Sequence, residues 1–411
     1  FEHTLIVAEE SSTVHYIEGC HPEGTMVETV SGEKPIESIE KGELVLTHEN
    51  RFKQVKETQQ RKHKGHIYDI EFWGDSTRNL TLTPGHPVLI SRRERDRESN
   101  WNWNTQWTEA KDVNEKDYVV IPRWKFGDSD SVDFNIKKWD NTEKEFNQVE
   151  RSFPAETGFF RLIGYYLAEG SNSGGHYLNL SFNSEEEELL RDAESLIEEY
   201  LGKSPDRYPH KSNNGTTLRL NSTDAVRIFE DFGERAGDKE IPEWIYDYSR
   251  ENIEALLEGF FAGDGNWYSE ECKHGDKSLY RFSTVSEQLA SRTRKLLLDL
   301  GIGSFINVRE RDEPRQPMFT VGIAGQHMEK FADRILEIEL EDEKRRQSKI
   351  HVKEERIFVP VRNIRKRSTE EKVYNLKVKD DESYVSEGIT VHNCSAPQYT
   401  RSNLHAGCVE V

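Results

Sequence analysis

Cysteine is scarce in this sequence: Cys20, Cys272, Cys394 and Cys408 are the four in a chain of 411 residues. That is too few for a disulfide framework, and the absence of any CxxC spacing argues against a zinc site. No apolar run approaches the roughly 20 residues needed to cross a bilayer, which excludes an integral membrane protein. The opening residues, Phe1-Glu2-His3-Thr4, have neither a basic nor an apolar region, so they are not a signal peptide. Without an initiating Met, the chain reads as a piece of a longer one. A reducing cytosol is the expected setting. Basic residues are in the minority, 56 Lys and Arg against 76 Asp and Glu, for a net charge of −20. Hydrophobic residues are only 34%, but an aromatic share of 10% argues against wholesale disorder. The acids are spread along most of the chain, which favours a salt-adapted protein over one with a single acidic binding surface.

What is present changes character along the chain. Residues 20–125 hold short β-like runs, such as Leu44-Val45-Leu46, Leu80-Thr81-Leu82 and Tyr118-Val119-Val120-Ile121, broken by turn residues every ten or so positions. Residues 127–156 read as a polar linker. From 157 to 345 helical periodicity appears, together with an internal repeat. Leu162-Ile163-Gly164-Tyr165-Tyr166-Leu167-Ala168-Glu169-Gly170 recurs as Leu257-Glu258-Gly259-Phe260-Phe261-Ala262-Gly263-Asp264-Gly265. Each copy leads to a strand with Phe near its end and then to an amphipathic helix, an αββα-type duplication. Residues 350–393 return to β character. A β region is therefore split by an α/β insert.

Three residues define the chemistry of the junctions. Cys20 and Cys394 each follow a short polar turn, and Asn393 immediately precedes Cys394. A thiol can attack the carbonyl before it and give a thioester, and a second thiol can take over the acyl group. An Asn before that second Cys can cyclise onto its own carbonyl and cut the chain. Taken singly, each of these residues reads as structural; their joint order points to chemistry.

The order of motifs resembles that of an intein. Cys20-His21-Pro22-Glu23-Gly24-Thr25, Thr81-Leu82-Thr83-Pro84-Gly85-His86-Pro87, Val373-Tyr374-Asn375-Leu376 and Val391-His392-Asn393-Cys394 match its splicing blocks in sequence. The resemblance implies a horseshoe-like all-β Hint domain made of residues 20–145 and 350–393. Thr83 and His86 would polarise the Gly19–Cys20 bond, and His392 would assist Asn393. Splicing would need no cofactor. Two positions depart from the family pattern: Asn375 stands where Asp is common, and Glu382 where His is common. The flanks, 1–19 and 394–411, resemble SufB-type iron–sulfur assembly proteins, which implies that the joined flanks enter such an assembly complex. The acidic surplus adds a haloarchaeal source to these expectations.

The nine-residue repeats resemble the paired helices of a LAGLIDADG homing endonuclease, expected over residues 155–345. That resemblance implies that Glu169 and Asp264 bind Mg²⁺ or another divalent metal, with Lys239 orienting water or stabilising charge. The expected partner is double-stranded DNA at the uninterrupted host site, with phosphate contacts from basic runs containing Lys53, Lys56, Arg61, Lys62, Arg92, Arg93, Arg365 and Lys366. Three alternatives stay open: a splicing domain with a decayed nuclease, a hedgehog-like domain that cleaves without ligating, and a non-catalytic scaffold carrying an inert insert.

Overall fold

The structure is a computed structural model that describes residues 19–95, 101–140, 144–211, 214–270, 277–340 and 347–393. It is mostly β with six α-helices among the described residues. Two compact units divide the chain. Among the described residues, the first takes 19–72, Arg78–Pro122 and 360–393; the second takes Trp73–Thr77 and Arg123–Val359. No helix among the described residues is long and apolar enough to cross a membrane.

The first unit is built on antiparallel strands. The expected short strands stand at Leu44–Leu46, Leu80–Leu82 and Tyr118–Pro122. Phe52–Phe72 is instead one continuous strand, paired along nearly its whole length with the long strand Arg356–Val378. The ribbon is polar on both faces over its middle, so it has no period-two apolar signature to announce it. Three further pairings bring distant segments together. His21–Pro22 lies against Tyr374 and Val373. Ser383–Ser386 and Ile389–His392 form a hairpin, and Val391 of that hairpin pairs with Val88 of strand Pro87–Ser91. The two ends of the β region therefore meet in one unit because apolar alternation buries Val88, Ile90, Val385, Ile389 and Val391 in a shared core.

The second unit contains the repeat. Helix α1 (Thr157–Glu169) is buried on almost every side, as befits a helix at the centre of a core. The chain continues through strands Gly170–Ser173 and Tyr177–Asn183, α2 (Glu187–Leu201), strands Asp206–Pro209 and Gly215–Asn221, and α3 (Thr223–Ile228). The second copy runs α4 (Arg250–Asp264), Gly265–Glu270, Lys277–Thr284, α5 (Glu287–Asp299), Phe305–Arg309, Met318–Ala324 and α6 (His327–Ile335). The two four-stranded sheets have the same order, first strand, second, fourth, third. Each copy is thus longer than the expected αββα motif by two strands and a helix.

Residues 127–156 are not a linker. Ser131–Asp140 and Glu145–Pro154 form a hairpin in the second unit. Val132, Phe134 and Ile136 alternate onto its buried face, where Phe153 stacks on Phe159 with ring centroids 4.8 Å apart. The charged residues between them occupy the other face, and their number hides the period of two.

Candidate functional sites

The first site assembles around Gly19 and Cys20. Cys20 is buried. Its backbone N–H donates to Thr83 Oγ1 at 2.8 Å, and its carbonyl accepts from the Thr83 N–H at 3.0 Å. The turn after Thr83 is closed by the His86 N–H donating to the Thr83 carbonyl at 3.1 Å, and the His86 carbonyl accepts from Ala110 N–H at 2.8 Å. Imidazole and junction are in direct contact: a Cβ at Gly19 would sit 2.3 Å from His86 Cα and 2.5 Å from Nδ1. Only glycine fits there.

His86 is fully buried, and burial lowers its pKa to about 3; the neighbouring His392 pushes the same way, while the Gly19 backbone pulls toward protonation. Neither imidazole nitrogen closes a hydrogen bond of ordinary geometry among the described residues. The imidazole is therefore neutral at neutral pH, with one nitrogen able to accept a proton and the other able to donate one.

The other end of the β region arrives at the same place. His392 packs edge-on against Trp107, with ring centroids 4.8 Å apart, and its Nδ1 lies 2.5 Å from the Asn393 carbonyl oxygen. Asn393 is buried, and its N–H donates to the Glu382 carbonyl at 2.8 Å. Glu382 thus serves Asn393 through its backbone. Cys394 lies outside the described residues. Cys20, Thr83, His86, His392 and Asn393 are all in the first unit, gathered by the pairing of Val391 with Val88 two residues beyond His86.

Two residues that sequence reasoning did not assign stand in this site. His21 is buried with its ring centroid 4.6 Å from that of His86, and its pKa is lowered well below the usual value by burial and by His86. Tyr384 is buried 5.7 Å from the His21 ring and 6.3 Å from the His86 ring. The signal available for Tyr384 was its setting, Ser383-Tyr384-Val385-Ser386, a strand buried on every residue that still carries three hydroxyls.

The second site lies where α1 and α4 end. Gly164 and Gly259 bring the helices into backbone contact: a Cβ at Gly164 would be 2.2 Å from the Leu256 carbonyl oxygen, and one at Gly259 would be 2.3 Å from that of Arg161. Near the C-terminal ends a Cβ at Gly263 would be 2.5 Å from Ala168 Cβ and 3.7 Å from Glu169 Oε1. Glu169 and Asp264, the last residues of the two helices, are thereby set side by side. Crowding by protein, and for Glu169 the charge of Asp264, raises their pKa values to about 8 and about 7. Asp264 still reaches solvent.

Lys239 is buried with its Nζ 3.2 Å above the Tyr166 ring, donating to the Tyr166 carbonyl at 3.0 Å. Burial lowers its pKa to about 6, and Asp264 opposes that shift. No cluster of three or more His, Cys, Asp or Glu able to hold a metal occurs among the described residues. Two crowded carboxylates do fit a hard cation whose other ligands are water and phosphate oxygens.

The basic residues fall into two groups. Lys53, Lys56, Arg61, Lys62, Arg365 and Lys366 lie on the long ribbon, with Arg365 opposite Asp69 and Lys366 opposite Tyr68. Lys53 pairs with Asp380 at 2.8 Å and Arg365 with Glu71 at 2.8 Å. Arg92 and Arg93 follow another strand; Arg92 binds the buried Asp117 at 3.0 Å, and Arg93 lies 5.7 Å from the Trp103 ring. Several of these cations are thus already engaged within the fold.

Comparison with known proteins adds three findings. A family model described as intein splicing domain matches residues 23–393. An iron–sulfur cluster assembly SufBD family protein of Mycobacterium tuberculosis is 28% identical over 432 residues, covering 100% of this chain and 47% of that protein. The ATP-dependent DNA helicase Hel308 of Thermococcus kodakarensis is 28% identical over 411 residues, covering 91% of this chain and 36% of that protein. The chain thus spans less than half the length of either relative. Among solved structures, I-DmoI in complex with DNA and Mn is 16% identical over 45% of this chain and 99% of that one, at a TM-score of 0.34, too low to identify a fold.

Proposed function

The chain belongs to the intein splicing domain family, whose model spans residues 23–393, and on that premise we propose that it excises residues 20–393 and joins its flanks. One observation carries the reading: Gly19, Cys20, Thr83 and His86 are in contact, and His392 and Asn393 reach the same unit. The Cys20 sulfur attacks the Gly19 carbonyl. His86, neutral and against the junction, takes the thiol proton and returns it to the leaving Cys20 nitrogen. Thr83 holds that nitrogen through its N–H. Cys394 then takes the acyl group from Cys20. The Asn393 side-chain nitrogen attacks its own carbonyl carbon, whose oxygen His392 faces, and frees the Cys394 amine. A final S→N shift restores a peptide bond between Gly19 and Cys394.

Matches that cover 100% and 91% of this chain, to parts of a SufBD family protein and of a helicase, support the reading of a portable insert. A SufB-type host is the reading for the flanks 1–19 and 394–411. The dispersed acidic surplus fits work at high salt. The test places residues 20–393 between two unrelated reporter proteins. A ligated reporter pair is expected, and its loss in Cys20→Ala and in Asn393→Ala. Persistent full-length protein across salt and reductant conditions would overturn the proposal and favour an inert insert.

A second reading, endonuclease activity, is favoured by Glu169 and Asp264 at the ends of duplicated helices that touch through glycine. Their side chains would hold a divalent cation, which would supply Lewis acidity and an activated water when bound. Lys239 would balance charge beside Asp264. Lys56, Lys62 and Lys366 on the ribbon would reach phosphates; splicing would belong to the first unit and cleavage to the second, which takes residues 123–145 and 350–359 out of the expected splicing limits of 20–145 and 350–393. Cleavage of a plasmid carrying the uninterrupted host site, with Mg²⁺, is the test. Intact DNA would favour a decayed nuclease.

A further inference from the structure

Asn375 is 1% exposed, yet its amide is only half satisfied. The Tyr384 hydroxyl donates to Oδ1 at 2.9 Å, while Nδ2 has no partner among the described residues. A buried donor left unpaired costs about 1–3 kcal/mol, so a native protein that keeps one calls for an explanation. The surroundings of Asn375 suggest one. His21 stands opposite Tyr374 and Pro22 opposite Val373. Continued one residue beyond the paired strand, that register would set Cys20 opposite Asn375. The Tyr384 ring that anchors Oδ1 lies 6.3 Å from His86, and His86 packs on Gly19. Asn375 is therefore fixed in the wall around the Gly19–Cys20 peptide.

We infer that Asn375, held in place by Tyr384, donates its Nδ2–H to the oxyanion that forms on the Gly19 carbonyl when Cys20 attacks. The inference rests on the splicing reading and adds a residue role to it. In that step the sulfur bonds to the Gly19 carbonyl carbon and the C=O electron pair moves onto oxygen. The pair returns as the bond to the Cys20 nitrogen breaks, and the thiol proton ends on the freed amine. The oxyanion exists only between those two events, so a donor aimed at it favours the transition state over the ground state. An ionised carboxylate at position 375 would only accept, whereas the amide donates at every pH. Tyr384 is a positioning residue. The opposite amide orientation would present an acceptor, which Asp would reproduce.

The experiment follows thiol-induced release of the N-terminal flank by intact mass, using the full chain with Asn393→Ala to block cleavage at the other end. Asn375→Ala should slow release about 10²-fold, the usual cost of one oxyanion donor, and Tyr384→Phe should slow it less. Asn375→Asp should lose rate relative to the parent as pH rises through its carboxyl titration, because only the protonated acid donates. Cleavage at Asn393 in a Cys20→Ala background, preserved in all three variants, would show that the fold is intact. Release within about twofold of the parent by Asn375→Ala, or by Asn375→Asp at a pH above its carboxyl titration, would overturn the inference. So would joint loss of both cleavages, which would assign Asn375 to structure alone. Absence of release in the parent would instead defeat the splicing reading beneath it.

Discussion

Acid should loosen the first unit through His86, and the size of the effect follows from its burial. An exposed His titrates near 6.5, whereas His86 in the fold titrates at about 3. Below pH 6.5 the unfolded chain binds a proton that the folded chain refuses, so stability falls as pH drops from 6.5 toward 3 and is complete above 6.5. Between pH 8 and pH 5 this one group should cost about 2 kcal/mol, from 1.36 kcal/mol per unit of separation. The perturbation is His86→Gln in a chain stopped by Cys20→Ala and Asn393→Ala. Native-state hydrogen exchange on strands Leu80–Leu82 and Pro87–Ser91 reads the opening free energy of this unit apart from the other. The parent should lose about 2 kcal/mol more than the variant between pH 8 and pH 5. Carboxylates titrate equally in both and cancel in the difference. Parallel curves would refute the reasoning and mean that His86 titrates in the fold as it does in the unfolded chain.

Gly259→Ala should destabilise the second unit by about 1–3 kcal/mol in a thermal or denaturant melt, because its Cβ would lie 2.3 Å from the Arg161 carbonyl; an unchanged melt would mean that α1 and α4 are not in contact. Ser249→Ala should cost about 1 kcal/mol in the same assay through loss of the Ser249 Oγ cap, which accepts from the Asn252 N–H at 3.2 Å. Glu169 has a raised pKa, about 8, so its protonated form stabilises the fold at low pH and that stability is lost as pH rises through 8. Glu169→Gln should therefore make the metal-free second unit more stable than the parent at pH 9 and little different at pH 5, as read by urea melts at the two pH values. Thr83→Val should slow thiol-induced release at Cys20 while leaving cleavage at Asn393 intact, since Thr83 Oγ1 accepts the Cys20 N–H.

The residues that could be read in advance are those whose chemistry leaves little choice. Gly164 and Gly259 recur in the repeat because two helices touch backbone to backbone there, and no other residue permits it. Cys20, Asn393 and Cys394 stand out because their reaction needs those side chains in that order. His21 and Tyr384 were not legible as site residues. A buried polar residue gains its meaning from its neighbours, and theirs come from strands more than 300 residues apart in sequence, as in the approach of Ser386 Oγ to His21 Nδ1. The hairpin at 131–154 escaped for another reason: its buried face is one narrow row of apolar residues among many charges. The long ribbon escaped because backbone pairing, rather than an apolar face, sustains its middle. Asn375 reads in the sequence as a departure from a family pattern; only the Tyr384 hydrogen bond and the unpaired Nδ2 give it a task.

Splicing itself is tested most directly by the intact mass of the excised fragment. Cyclisation of Asn393 leaves residues 20–393 one water lighter than the same fragment ending in a free Asn. The account predicts that lighter mass beside a ligated flank peptide carrying Gly19 joined to Cys394, with both products absent in Cys20→Ala and Asn393→Ala. A fragment of hydrolysed mass, or flanks released without being joined, would contradict it.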